Sequence, residues 1–165
     1  MILNLIQEYL TQKTAKVNAN LDGSIVLKQV ITELDLDYTG NSESYIHYQA
    51  YITEITAQDD EAQIYKTVNV SLEFIINIAN KNYTVYKNIF DRYIFPFMRV
   101  LQLSKQPLIE FSDEDISTGL SLIDIYDVRI TNADRFEDEY YKPTIEFMLM
   151  ISDSGTEDIV RANSV

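Results

Sequence analysis

The chain has 165 residues and a formal net charge of −13, from 26 acidic and 13 basic side chains. It contains no cysteine, which excludes disulfides, thiolate catalysis and cysteine-bound metals, and which fits folding in a reducing cytoplasm. Because binding to bare nucleic-acid phosphates relies on Lys and Arg, the acidic balance argues against that activity. It indicates solubility, a surface that repels or imitates DNA, or docking on a basic partner.

With 46% apolar residues, the chain can bury a sizeable core at this length. We expect one α+β domain over residues 1–152 and a polar C-terminal tail over residues 153–165. No uncharged apolar run approaches the roughly 18–20 residues of a membrane span, so we expect a soluble protein without a membrane partner.

The N-terminal segment predicts an amphipathic helix over residues 2–16. Its apolar side chains share one helical face and are Ile2, Leu5, Ile6, Tyr9 and Leu10. The segment has no basic region ahead of these residues and no small-residue cleavage site after them, so it is a poor signal peptide. Residues 24–34 fit a strand about as well as a short helix, and an acidic bridge follows them.

Two long strands follow the bridge and predict an antiparallel hairpin. Residues 45–56 place Ile46, Tyr48, Ala50 and Ile52 on one face, and the alternation slips near Glu54–Ile55, which indicates a bulge or a bend. Residues 66–80 alternate more regularly, and the predicted inward side chains are Val68, Val70, Leu72, Phe74, Ile76 and Ile78. The outward positions between them are mostly uncharged, so we expect that face to contact a neighbouring subunit.

A central helix is predicted over residues 82–103, because apolar side chains recur there at three- and four-residue intervals. Arg92 and Arg99 argue against a membrane segment. Pro96 lacks a backbone donor and disfavours α geometry at Phe95, so the helix should kink or restart at this point.

A second hairpin is predicted after an acidic loop over residues 110–119. Its first strand, residues 120–132, has Leu122, Tyr126, Val128 and Ile130 in phase. Its second strand, residues 144–152, has Ile145, Phe147, Leu149 and Ile151 in phase. These elements predict an α+β fold with a mostly antiparallel sheet of two long hairpins, on which the N-terminal helix and the Pro-broken central helix pack.

Three acidic triplets are the candidate functional residues, as a shared acidic loop surface. They are Asp59, Asp60 and Glu61, then Asp113, Glu114 and Asp115, and then Glu137, Asp138 and Glu139. Consecutive acids rarely converge on one point, which favours solvated loop charge over metal ligation or acid–base catalysis. A ring of copies would multiply that charge.

Other reactive sites are not predicted. His47 is the single histidine, and its strand neighbours give no sign of a catalytic triad. No phosphate-cradling glycine motif occurs. Asp35 and Asp37 begin an EF-hand-like loop, but Ile46 stands where the bidentate Glu is required. We therefore predict no catalytic residue, no cofactor and no metal.

The order of these elements resembles the tail terminator (tail-completion) proteins of long-tailed bacteriophages and the related head–tail joining neck proteins. The segments that carry the resemblance are ILNLIQEYL, YIHYQAYITEI with KTVNVSLEFIINIAN, YTVYKNIFDRYI, and LSLIDIYDVRI with TIEFMLMIS. The segment SIVLKQVITEL with its acidic bridge is longer than this order requires. A terminator proper and another neck or tail-tube component therefore both stay open.

The resemblance implies a structural virion protein, assembled in the host cytoplasm, that catalyses nothing and binds no cofactor. Its copies would close into a ring, commonly a hexamer, on the last layer of the tail tube, stop tube growth and join the tail to the head. Its partners would be the tail-tube protein and the head-connector or neck proteins, and DNA would pass through the lumen without specific binding.

The alternative is an acidic DNA-mimic inhibitor of a nucleic-acid-binding enzyme, with a small-molecule enzyme as a third choice. A mimic should carry acids along one helix or strand face at phosphate-like spacing. Here the acids cluster in loops, and Glu73 is the single acid among the outward positions of residues 67–77. This distribution favours the ring.

Overall fold

A computed structural model describes residues 2–20, 25–31, 44–57, 65–78, 83–103, 109–113 and 116–153. They form an α+β fold with a mixed sheet. The elements are α1 (Ile2–Ala19), β1 (Leu27–Gln29), β2 (Tyr45–Ala57), β3 (Tyr65–Asn77), α2 (Tyr83–Ile89), a π-helical turn (Phe90–Ile94), α3 (Phe95–Gln102), β4 (Ile109–Asp113), β5 (Ile116–Thr131), β6 (Phe136–Glu137), β7 (Tyr140–Tyr141) and β8 (Thr144–Asp153).

The sheet has the strand order β1-β2-β3-β8-β5-β4. Both predicted hairpins are present, β2 with β3 and β5 with β8, and they join where β3 pairs antiparallel with β8. The β6–β7 hairpin adjoins them through β7, which pairs with β3. The parallel pair of β1 with β2 departs from the expected antiparallel pattern. Residues 24–34 fitted a strand or a helix by sequence, and within them Leu27–Gln29 form β1.

The inward faces of β3 and β8 are confirmed. The predicted inward side chains of β3, from Val68 to Ile78, are each at most 4% exposed, and those of β8, from Ile145 to Ile151, are at most 2% exposed. The predicted irregularity in β2 is also confirmed, because the register with β3 shifts between Ile52 and Glu54. Regular alternation is a local property of the chain, and here it decides which side chains face the core.

The predicted inward face of β5 is wrong in part. Leu122 is buried as expected, and Val128 and Ile130 pack against the core as half-buried residues. Ile125 is buried too, however, and Tyr126 lies on the other side of the sheet, opposite Met148. Two shifts in register with β8 interrupt the alternation, the first just after Leu122 and the second after Tyr126, where Asp127 has φ 53°. Each bulge inserts one residue and moves the inward phase by one position.

The acidic loop expected over residues 110–119 is also corrected. Most of it is strand, because Ile109–Asp113 pairs antiparallel with residues 116–122 of β5. Only residues 114–115 of that segment lie outside the described residues. Ile109, Phe111 and Ile116 favour extended backbone, so strand rather than loop forms in the described part of this segment.

The central helix restarts at the predicted place. The Phe95 backbone N–H donates to the carbonyl of Phe90, five residues earlier, and α3 begins there with Pro96 in its first turn. In a first helical turn the missing proline donor costs nothing. Phe95 nevertheless keeps α geometry, with φ −63° and ψ −44°, against the expectation. The wider π turn replaces an i→i−4 hydrogen bond by an i→i−5 hydrogen bond, and this change accommodates the ring of Pro96.

Both helical segments pack on one side of the sheet, called here the inner side. The rings of Tyr48 and Phe74 lie 5.4 Å apart, and Phe97 of α3 packs edge-on to both, at 5.4 and 6.1 Å. From α1, the Thr14 hydroxyl shares a hydrogen bond of 2.6 Å with the Tyr48 hydroxyl and donates to the Leu10 carbonyl at 2.7 Å. No helix among the described residues is both long and apolar enough to cross a membrane.

The β6–β7 turn leads to a first prediction. Asp138 and Glu139 have φ of 51° and 70°, so they form a two-residue turn of the primed type, which favours glycine at the second position. We expect Glu139→Gly to raise the free energy of unfolding by about 1 kcal/mol, because glycine removes the steric cost of left-handed backbone. Chemical denaturation measures the change.

Glu137→Gly is the matched control for that turn. Glu137 lies in β6 and accepts from Arg135. Glycine at this strand position should therefore lower the stability. Equal effects of the two substitutions would contradict the assignment of the strain to Glu139.

Candidate subunit interface

The side of the sheet opposite the helices is broad and is called here the open face. Cross-strand partners point to the same side of a sheet, so the register identifies its members. They are Tyr45, His47, Gln49, Tyr51, Glu54, Thr56, Tyr65, Thr67, Asn69, Ser71, Glu73, Ile75, Asn77, Asp124, Tyr126, Arg129, Thr131, Thr144, Glu146, Met148, Met150 and Ser152. Among the described elements, both helical segments pack on the inner side, so the open face has no helical layer.

Most side chains of the open face are uncharged or apolar and are only half-buried. Arg129 and Glu146 form an ion pair of 2.9 Å between β5 and β8, which partly neutralises the charge at the centre of the face. Both side chains are solvent-accessible, so this pair contributes little stability. A shallow depression of about 80 Å³ lies beside them, between Asn69 and Met148. Such chemistry suits contact with another protein surface.

A larger recess of about 240 Å³ lies at the β6–β7 end of this face. Its lining combines Tyr45 and His47 of β2 with Tyr140 of β7 and with Lys142, which follows β7. His47 is 7% exposed, and its ring lies 4.7 Å from the ring of Tyr45. Burial, together with the neighbouring Tyr140, raises the pKa of Tyr45 to about 12. The neutral phenol is therefore the form present at physiological pH.

A third cavity lies between α2 and the turn that precedes β6, with a volume of about 480 Å³. Tyr86 of α2 packs edge-on to Phe136 at 5.1 Å and to Tyr141 at 5.7 Å. Lys87 and Asp134 also line this cavity. The aromatic contacts anchor the β6–β7 hairpin to the central helix.

The structure describes only part of the three predicted acidic triplets. Asp59, Asp60 and Glu61 lie outside the described residues, as do Glu114 and Asp115. Asp113 ends β4, whereas residues 137–139 lie in the β6–β7 hairpin at the opposite end of the sheet. Among the described residues, no group of acidic or histidine side chains could hold a metal ion. The EF-hand-like residues Asp35 and Asp37 also lie outside the described part.

Part of the negative charge of the third triplet, residues 137–139, is compensated by basic side chains. Glu137 accepts from Arg135 at 2.5 Å and lies 3.8 Å from the Lys142 ammonium. The hydrogen bond from Arg135, with the charge of Lys142, lowers the pKa of this carboxyl. Asp138 lines the recess next to it. This turn is therefore a small mixed-charge cluster rather than a purely acidic surface.

Sequence reasoning found part of the open face and missed the rest. The alternation in residues 66–80 identified its β3 positions. The recess could not be found in this way, because it joins residues of β2 to residues of β7 through a strand order that no local pattern contains. The nearest signal was the aromatic pair Tyr140–Tyr141 beside the acidic turn.

Comparison of the chain with the models of known protein families, and with curated proteins, finds no match.

Proposed function

We propose that this chain is a structural virion protein of the phage tail terminator or neck type. Its copies form a ring, a hexamer by resemblance, at the head-proximal end of the tail tube, where it stops tube growth and joins the tail to the head. The proposal is supported by the order of elements, with an N-terminal helix, two long hairpins and a Pro-interrupted central helix. The observation that carries it is the open face.

The open face supports self-association because of its chemistry. A lone subunit with one helical layer leaves that side of its sheet to water, and soluble proteins usually cover such a side with charges. Here uncharged side chains such as Asn69 and Met148 surround the Arg129–Glu146 ion pair. A head-to-tail arrangement of copies closes into a ring when the rotation between neighbours divides the circle. Contact between copies would then cover the open face.

The strand ends that flank two acidic segments of the sequence lie together. Ala57 and Tyr65, which flank residues 58–64, lie at the same end of the sheet as Asp113 and Ile116, which flank residues 114–115. In a ring, these ends would be repeated in every copy and would build a collar of negative potential. Such a collar would keep passing DNA from adhering, which fits a net charge of −13.

The second prediction tests the ring. The molar mass in solution and negative-stain images should show rings for the purified protein, alone or on tail tubes. Asn69→Lys adds a charge opposite Glu54 on the open face and should weaken association by at least about tenfold, because desolvating the ammonium at a subunit contact costs more than its attraction to Glu54 returns. Asn4→Lys makes the same change on an exposed position of α1 and should leave association unchanged.

Two results would overturn the proposal. One is a protein that stays monomeric both alone and with tail tubes, and that tightly inhibits a DNA-binding enzyme, which would favour the DNA-mimic function. The other is normal tail length and normal head joining in virions that assemble without the protein. The ring function predicts tails of uncontrolled length or unjoined heads.

A further inference from the structure

Strand β2 has an edge that the described strands leave open. β1 pairs with β2 only from Ile46 to Tyr48. Beyond that point, no described strand pairs with Gln49–Ala57 on the side away from β3. A strand edge of this kind presents a row of backbone donors and acceptors, and the chemical group that matches such a row is another β-strand.

The hydrogen bonds determine which backbone groups face this edge. The Val30 N–H donates to the Tyr48 carbonyl at 2.8 Å, so the backbone groups of Tyr48 point away from β3. The Phe74 N–H, opposite Tyr48, donates to the Pro143 carbonyl at 3.1 Å, which confirms the phase. Alternation along the strand, corrected for the bulge at residue 53, then directs the same groups outward at Ala50, Ile52, Ile55 and Ala57.

The edge has few of the features that usually block strand addition. Between Gln49 and Ala57, Glu54 is the single charged side chain, and there is no proline or lysine. The side chains of Tyr51 and Ile55 are 41% and 46% exposed. The bulge between Ile52 and Glu54 limits continuous pairing to about four residues on either side. A short strand therefore fits this edge better than a long one.

The opposite margin of the sheet offers such a strand. β4, Ile109–Asp113, is the last strand in the order and pairs with β5 alone among the described strands. Four successive antiparallel pairs separate β2 from β4, so the two strands run in the same direction. The register also places Ile109 level with Ala57, through Lys66, Ile151 and Leu122. Because the two strands run in the same direction, the rest of β4 extends past Ala57 at this level. A shift of about four residues along the strands brings β4 of another copy beside residues 54–57.

We propose that the free edge of β2 takes up strand β4 of the adjacent copy, in parallel orientation and in line with β1. This inference rests on the proposed ring and specifies the contact between neighbouring copies, called here the seam. Two different margins meet in such a contact, so it is head-to-tail and repeats around a closed ring. Glu54 and Thr56 lie on the open face beside the seam, so cross-strand contacts there cover that margin of the face.

The third prediction removes one outward donor. In Ile55→Pro, the missing N–H faces the open edge, so the pairing of β2 with β3 keeps its hydrogen bonds. Ile55→Thr keeps the N–H and is the matched control. We expect the proline variant to need at least about a tenfold higher concentration for half-assembly, and the threonine variant to stay close to the native chain. Unchanged circular dichroism and unchanged thermal unfolding of the dilute protein show that the proline variant folds.

Amide hydrogen exchange locates the seam directly. The amides of Ile55 and Ala57, together with those of β4, should exchange more slowly in the ring than in the dilute monomer. Rings in which these amides stay unprotected, or which the proline variant still forms normally, would overturn the seam and leave the ring intact. A closed dimer would mean that β2 pairs with β2 of a second copy and would overturn the role of β4. A protein that is monomeric at every concentration would overturn both the ring and the seam.

Discussion

Replacing Phe97 with alanine should lower the free energy of unfolding by about 3–5 kcal/mol, the loss typical of a fully buried phenylalanine. The Phe97 side chain is 0% exposed and joins α3 to the sheet through its edge-on contacts with Tyr48 and Phe74. The cavity left by the ring would lie between two elements that the same contacts hold together. Chemical denaturation followed by far-ultraviolet circular dichroism measures the loss.

Phe95→Ala is the matched control for that substitution. Phe95 lies two residues earlier in the same helix, but its side chain is 41% exposed and touches Arg99, whose guanidinium lies 5.8 Å from the ring centre. Its removal should cost less than about 1 kcal/mol. The packing of α3 on the sheet places Phe97 in the core and leaves Phe95 at the surface. Similar losses for both variants would contradict this packing.

Tyr48→Phe should make the protein less sensitive to alkali. Tyr48 is 1% exposed, and burial raises the pKa of its hydroxyl well above the ordinary tyrosine value of 10.0, against the smaller lowering effect of the hydrogen bond with Thr14. A raised folded-state pKa means that the neutral phenol stabilises the fold below pH 10. This stability is lost as the pH rises above the unfolded value, by up to about 1.4 kcal/mol per pH unit.

Denaturation at several pH values from 8 upward checks this expectation. The native chain should lose stability more steeply above pH 10 than Tyr48→Phe does, while the two curves run parallel at lower pH. Tyr51→Phe removes an exposed hydroxyl from the same strand and should follow the native curve. If Tyr48→Phe loses stability as steeply as the native chain, the buried phenol is not the group responsible.

The candidate interface was predictable only where one strand carries it. The outward positions of β3, such as Asn69 and Ser71, follow from the alternation of that strand alone. The partners beside them, such as Met148 and Arg129, enter through pairing with β8 and β5, which the sequence does not specify. The open edge of β2 was missed for the same reason, since its openness depends on how short β1 is and where it pairs.

By itself, the sequence determined the two long hairpins, the inward faces of β3 and β8, the bulge in β2 and the restart of the helix at Pro96. These features follow from local causes: side-chain direction alternates along a strand, and proline lacks a donor. Only the tertiary structure decided the parallel pairing of β1, the place of β8 beside β3, the two bulges in β5 and the strand character of β4. These depend on contacts between residues far apart in the chain, whose geometry a local pattern does not contain.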